Sequence, residues 1–165
     1  MADRNITERL QPSLLDRLTD TEPDKQTESR SSRVIDANRL RDIIRRDLSW
    51  LLNSNNLDSE MDEESYPQAR NSVLNYGVRE VSGDYSTEMR ADEIRRSMLR
   101  AIRRFEPRIS EGSLEVALRA DTEDRRAVVK FDIVADMWAQ PYPLELYLRS
   151  EVDLTTGEIK LNEAR

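Results

Sequence analysis

The chain has 165 residues with 33 acidic and 26 basic side chains, a formal net charge of −7 and a pI near 4.9. Apolar residues make up 37% and charged residues 36%, against roughly 45–50% and about 25% in an average globular chain. There is no His and no Cys. That excludes disulfides, thiolate and imidazole metal sites, and Ser-His-Asp or Cys-His catalysis. The four glycines, Gly77, Gly83, Gly112 and Gly157, are isolated, so no phosphate-cradling loop is present. No apolar run reaches the roughly 20 residues of a membrane span. The polar start, Met1-Ala2-Asp3-Arg4-Asn5, lacks a signal-peptide core. The expectation is a cytoplasmic protein with no cofactor and no direct membrane insertion.

Residues 1–32 are polar with one apolar knot. Leu10, Leu14, Leu15 and Leu18 share one face of a short helix. Pro12 suits its first turn. Asp20 to Ser32 holds no large apolar residue and reads as a linker. The helix folds back on its own domain, docks on another subunit, or is disordered along with its tether. Residues 33–165 are expected to form one domain.

Helical spacing resumes from Val34 to Asn53. Leu40, Ile43, Ile44, Leu48 and Leu51 form the apolar side. Asp47 falls inside that stripe. A carboxylate there either reaches water at the stripe's edge or pairs with an arginine from elsewhere in a structural ion pair. An acidic loop, Asn53 to Ser65, runs up to Tyr66-Pro67. The next segment, Ser72 to Val78, is apolar but too short to classify.

Thr87 suits the N-cap of a further helix, with Glu88, Asp92 and Glu93 near its positive end. Ile94, Met98, Ala101, Ile102 and Phe105 form its stripe. Arg96, Arg100, Arg103 and Arg104 project from the other side, and Pro107 stops it. After Gly112 the period changes to two. Leu114, Val116, Leu118 and Ala120 alternate with polar positions. A longer strand runs from Ala127 to Trp138, with Ala127, Val129, Phe131, Ile133, Ala135 and Met137 on one face. Leu144 to Leu154 follows, with Leu144, Leu146, Leu148 and Val152 inward, then a turn and Glu158 to Leu161. Short polar turns between such runs make antiparallel hairpins. The expected fold is α+β: N-terminal helices packed on a small C-terminal, mainly antiparallel β-sheet.

All but three of the 26 basic residues, Lys25, Lys130 and Lys160, are arginine. Arginine suits bidentate and interfacial ion pairs, and it is also what a GC-rich genome supplies. The arginines are not interleaved with aromatic residues and the chain is acidic, so no nucleic-acid partner is expected. The one enzyme class left open is a hydrolase working with carboxylates alone. Glu106, between Phe105 and Pro107, is the sole acid with an apolar sequence neighbourhood.

Five segments occur together in order: Ser13-Leu14-Leu15-Asp16-Arg17-Leu18, Arg46-Asp47-Leu48-Ser49-Trp50-Leu51-Leu52-Asn53, Ser72-Val73-Leu74-Asn75-Tyr76-Gly77, Phe105-Glu106-Pro107-Arg108-Ile109 and Trp138-Ala139-Gln140-Pro141. With them the chain resembles the TssE family, baseplate subunits of bacterial type VI secretion systems. That family is similar to contractile-phage baseplate wedge proteins long labelled lysozyme-like. The resemblance extends from about residue 9 to about residue 157. It implies a structural role without catalysis. The implied partners are the wedge subunits TssF, TssG and TssK and the contractile sheath of TssB and TssC, at the membrane-associated baseplate. It also implies that Glu106, Pro107 and Arg108 are an assembly contact. A peptidoglycan hydrolase and a generic protein-interaction module remain the alternatives.

Overall fold

The computed structural model describes residues 13–19, 23–24, 35–62, 64–80, 87–119, 128–138 and 143–163. The chain starts with a five-residue helix, α1 (Leu14–Leu18), whose N-cap is Ser13. Leu10, Pro12 and most of the linker lie outside the described residues.

Helix α2 (Ala37–Leu52) buries Leu40, Ile43, Ile44, Leu48, Leu51 and Leu52. Its start is later than the apolar spacing alone suggests, because Asp36 takes the capping role. The Asp36 carboxylate accepts the Arg39 amide at 2.7 Å, satisfying a donor that the first turn leaves orphaned. At the other end Asn53 joins helix to sheet. Its Nδ2 donates to the carbonyls of Ser49 and Ile159, both at 2.8 Å, and its Oδ1 accepts the Ile159 amide at 2.9 Å.

Two short helical pieces follow the acidic loop expected over Asn53 to Ser65. Helix α3 (Pro67–Arg70) starts on its proline, and a 3-10 turn spans Val73–Asn75. The buried Asn75 side chain holds these pieces. It accepts from the Leu57 amide at 2.9 Å and donates to Asp58 Oδ1 at 2.7 Å and the Arg70 carbonyl at 3.1 Å. Val78 then pairs in parallel with Asn55, its amide donating to the Ser54 carbonyl at 2.8 Å.

Helix α4 (Thr87–Phe105) begins at Thr87 itself, so the expected cap residue is the first helical one. Residues 81–86, which lead into it, lie outside the described residues. Ala91, Ile94, Met98, Ala101 and Ile102 are buried, while Arg96, Arg100, Arg103 and Arg104 are exposed. The helix ends before Pro107, as the proline ring requires.

Four strands follow as an antiparallel meander in the order β1-β2-β3-β4: β1 (Glu115–Leu118), β2 (Val128–Met137), β3 (Leu144–Asp153) and β4 (Ile159–Glu163). Val129, Phe131, Ile133, Ala135 and Met137 meet Leu146, Leu148 and Val152 on the inward face, against α2 and α4. Two positions depart from the period-two expectation. Leu118 shares the register of Phe131 but is 53% exposed, because it stands at the end of an edge strand. Ser150 lies inward and fully buried, its hydroxyl donating to the Phe131 carbonyl at 3.4 Å. The outward face carries cross-strand ion pairs, Asp132 with Arg149 at 3.6 Å and Lys130 with Glu151 at 4.0 Å. The fold is α+β, with its helices before its strands.

A candidate assembly site around Arg108

Pro107 ends α4 and turns the chain toward β2. The Trp138 amide donates to the Arg108 carbonyl at 2.7 Å, and the Ser110 amide to the Asp136 carbonyl at 2.7 Å. Ile109 forms a bridge with Met137. Arg108 is therefore fixed from both sides before its side chain makes any contact.

That side chain points inward. The Glu106 carboxylate accepts the Arg108 backbone amide at 3.1 Å and Nε at 2.6 Å, and its second oxygen accepts Nη2. The same Nη2 reaches Asp47 Oδ2 at 2.7 Å. Asp47 Oδ1 in turn accepts Nε and Nη2 of Arg46, at 2.9 and 2.7 Å. Arg46 Nη1 donates to Asp16 Oδ1 at 2.6 Å, and the Ser13 hydroxyl donates to Asp16 Oδ2 at 2.5 Å. The result is a chain of alternating charge, Glu106–Arg108–Asp47–Arg46–Asp16, crossing from the end of α4 over α2 to α1.

The charges tune one another. Burial works against the charged form of Arg108, but the hydrogen bonds to Glu106 and then Asp47 outweigh it and hold the guanidinium above its ordinary pKa. Arg46 is raised as well, chiefly by its hydrogen bond to Asp16. Burial would raise Asp16, yet the bonds from Arg46 and Ser13 hold its carboxyl below the usual value. Tyr76 borders the network and is pushed up, first by burial and then by Asp47 and Glu106. Its ring meets Phe105 edge-on at 5.2 Å.

Asp47 thus pairs with two arginines, its α2 neighbour Arg46 and the distant Arg108. The Arg108 fork, part of the assembly contact that the family resemblance implies, is occupied by carboxylates of its own chain. Glu106 is only 4% exposed. What faces outward is Pro107 and a hollow of about 540 Å³ beside it, lined by Arg103, Ile109, Leu114 and the exposed Trp138. The apolar face of α1 is also open: Leu14, Leu15 and Leu18 are all exposed, as is Trp50 on α2, over which Arg46 stacks at 4.8 Å.

The sequence reading missed Arg46 and Asp16. A signal for Asp16 existed, since Ser13-Leu14-Leu15-Asp16 has the spacing of a capping box. Glu106 does not have the surroundings a glycosidase acid uses. Such an acid sits among apolar walls, whereas both Glu106 oxygens bond a guanidinium. Among the described residues no group of acidic side chains could hold a metal ion, and no helix is long and apolar enough to cross a membrane.

The Asp16 link gives a pH prediction. A carboxyl held below its ordinary value contributes stability that is full above that value and lost as pH falls through the folded one. The α1–α2 contact should therefore be unchanged from pH 7 to pH 5 and released below about pH 4. Trp50 emission in a Trp138→Phe background reads this, through the Arg46 stack. Asp16→Asn should show the released signal already at pH 7. An acid transition that persists unchanged in Asp16→Asn would assign it to another group.

Helices on one face of an antiparallel meander, tied at one corner by a half-buried arginine between two carboxylates, define an α+β module. The chain matches the family model described as Baseplate wedge protein gp25 over residues 38–142, from α2 through β2. That is more than half of the chain, and the chain belongs to this family. No curated protein and no solved structure matches. Membership supports a structural role like that of phage baseplates.

Proposed function

We propose that the chain is the TssE-type wedge subunit of a type VI secretion baseplate. It assembles with TssF, TssG and TssK and offers the contractile TssB–TssC sheath its first docking platform, at the cytoplasmic side of the membrane-associated baseplate. The observation that supports this most is the family match, because residues 38–142 include Asp47 and Glu106-Pro107-Arg108, the parts that bind α2 to the end of α4. In this reading the inward ion pairs set the shape of the turn, and the outward surface of Pro107 with the adjoining hollow makes the contact. The open leucine face of α1 is a second attachment.

Tagged protein captured from its own cells should bring TssF, TssG and TssK with it. Deleting the gene should abolish sheath foci seen with fluorescent TssB. Normal sheath assembly in the deletion strain would overturn the proposal. The α1 contact has its own expected result. Its visible polar link is the Asp16–Arg46 pair, and a partly exposed pair contributes only about 0–1 kcal/mol. Removing residues 1–20 should shift Tm by no more than about 4 °C while losing wedge-subunit capture. A larger drop would make α1 part of the chain's own core.

A further inference from the structure

The exposed side of α4 is not uniform. Over its first half the arginines are paired: Arg95 and Arg96 both contact Asp92, at 2.8 and 2.6 Å. Over its second half they are not. The side chains of Arg100 and Arg103 form no ion pair or hydrogen bond with any described residue. They stand three residues apart on one face, where like charges repel by a few tenths of a kcal/mol. The negative end of the helix dipole suits Arg103 and Arg104 in the last turn, but Arg100 lies farther back.

These arginines line a cleft of about 510 Å³ between α4 and the α3 region, together with Arg70, Asn71 and Asn75. Its walls are preorganised. Arg104 lies over the Phe105 ring at 5.5 Å and donates to Asn71 Oδ1 at 2.6 Å. Asn75 is locked by three hydrogen bonds. In a chain of net charge −7, Arg100, Arg103 and Arg104 at one depression, beside the Arg70–Asp58 pair, make a local field opposite to the whole.

We propose that this cleft docks an acidic segment of a partner protein, with Asp or Glu carboxylates entering between Arg100, Arg103 and Arg104. Guanidinium forks match carboxylates in bidentate geometry. The size of the cleft suits a few side chains. Asp58 in the lining is already paired with Arg70, 3.8 Å away, so the groups left for an incoming carboxylate are Arg100, Arg103 and Arg104. The aromatic ring in the lining, Phe105, is already covered by Arg104 and met edge-on by Tyr76, so it is a poor stacking face for bases. The inference rests on this geometry and stands independently of the wedge assignment.

The test is a titration of the full chain with hexaglutamate, followed through the arginine Nε–Hε resonances. Arg100, Arg103 and Arg104 should shift. The Arg100→Gln/Arg103→Gln double variant should bind at least about tenfold more weakly, as expected when charge-assisted bonds are removed. The Arg95→Gln/Arg96→Gln variant, with the same charge change on the same helix, should stay within about twofold of wild type. Glutamine keeps helix propensity at these exposed positions, and the wild-type shifts decide the matter even if a variant misfolds. Four outcomes overturn the proposal. They are no arginine shift at about 1 mM peptide, equal weakening by both double variants, tighter binding of an oligothymidylate of equal charge, or self-association that Arg100→Gln/Arg103→Gln abolishes. The last would assign the cleft to the acidic 58–64 loop of a second copy.

Discussion

Arg108→Ala is expected to destabilise the fold by about 3–5 kcal/mol, the range for removing one partner of a buried ion pair. Glu106 is 4% exposed and would be left with a carboxylate facing no cation. Asp47, 21% exposed, would keep Arg46. The cost therefore falls mainly on Glu106. Asp47→Ala should cost less, about 1.5–3 kcal/mol, because Arg108 retains Glu106. Arg108→Lys should lie between, since one ammonium cannot reproduce a fork that spans two carboxylates. Urea unfolding of the three variants gives the order directly. An Arg108→Ala effect below about 1 kcal/mol would mean that water replaces the guanidinium at little cost. Loss of assembly in Arg108→Ala cells would then mix two causes, a weakened fold and a lost contact. Trp138→Ala separates them, because that side chain is 64% exposed beside the hollow next to Pro107.

Gly77→Ala should be comparably severe, at roughly 3–5 kcal/mol from backbone strain plus lost hydrogen bonds. Gly77 has φ of +120°, a region that only glycine occupies comfortably. A Cβ there would stand 2.1 Å from the Ser54 carbonyl oxygen. That oxygen accepts the Val78 amide, and the Val78 carbonyl accepts the Asn56 amide at 2.9 Å. Relieving the clash would open both bonds and the crossing of the two segments. Gly157→Ala is the control. Its φ is +75°, but nothing lies within 4 Å of the added carbon, so strain acts alone at about 1 kcal/mol. Equal Tm shifts for the two substitutions would show that the Ser54 contact yields easily.

The apolar periods of α2, α4, β2 and β3 made the layers legible, because each element buries one face and repeats its own spacing. Element ends were less so. The start of α2 depends on one Asp36 carboxylate, and the end of β1 on whether anything covers Leu118. The 55–80 region escaped the reading because a polar residue, Asn75, organises it, and hydropathy carries no trace of that. The site was legible in pieces. Asp47 stood out as a charge in an apolar stripe, and Pro107 as a stop between two charges. That Arg108 would return across 61 positions to meet Asp47 depends on how α2 lies against α4, which no local pattern encodes. The match to a baseplate wedge family agrees with the resemblance in the motifs, while the place of each motif in an assembly rests on the experiments above.

The clamp of Asn53 on Ile159 spans 106 positions, and it has a consequence for synthesis. The meander can zip up hairpin by hairpin, since each strand pairs with its neighbour in sequence. Helix α2 has no such local partner among the strands. Its surfaces for β3 and β4 must wait until the C-terminal strands leave the ribosome. At roughly 5–20 residues per second that delay is on the order of 5–20 s. During it a helix with leucines and isoleucines along one side is exposed to other nascent chains. Its outward arginines and aspartates are then the groups that keep it in solution until the last strand arrives.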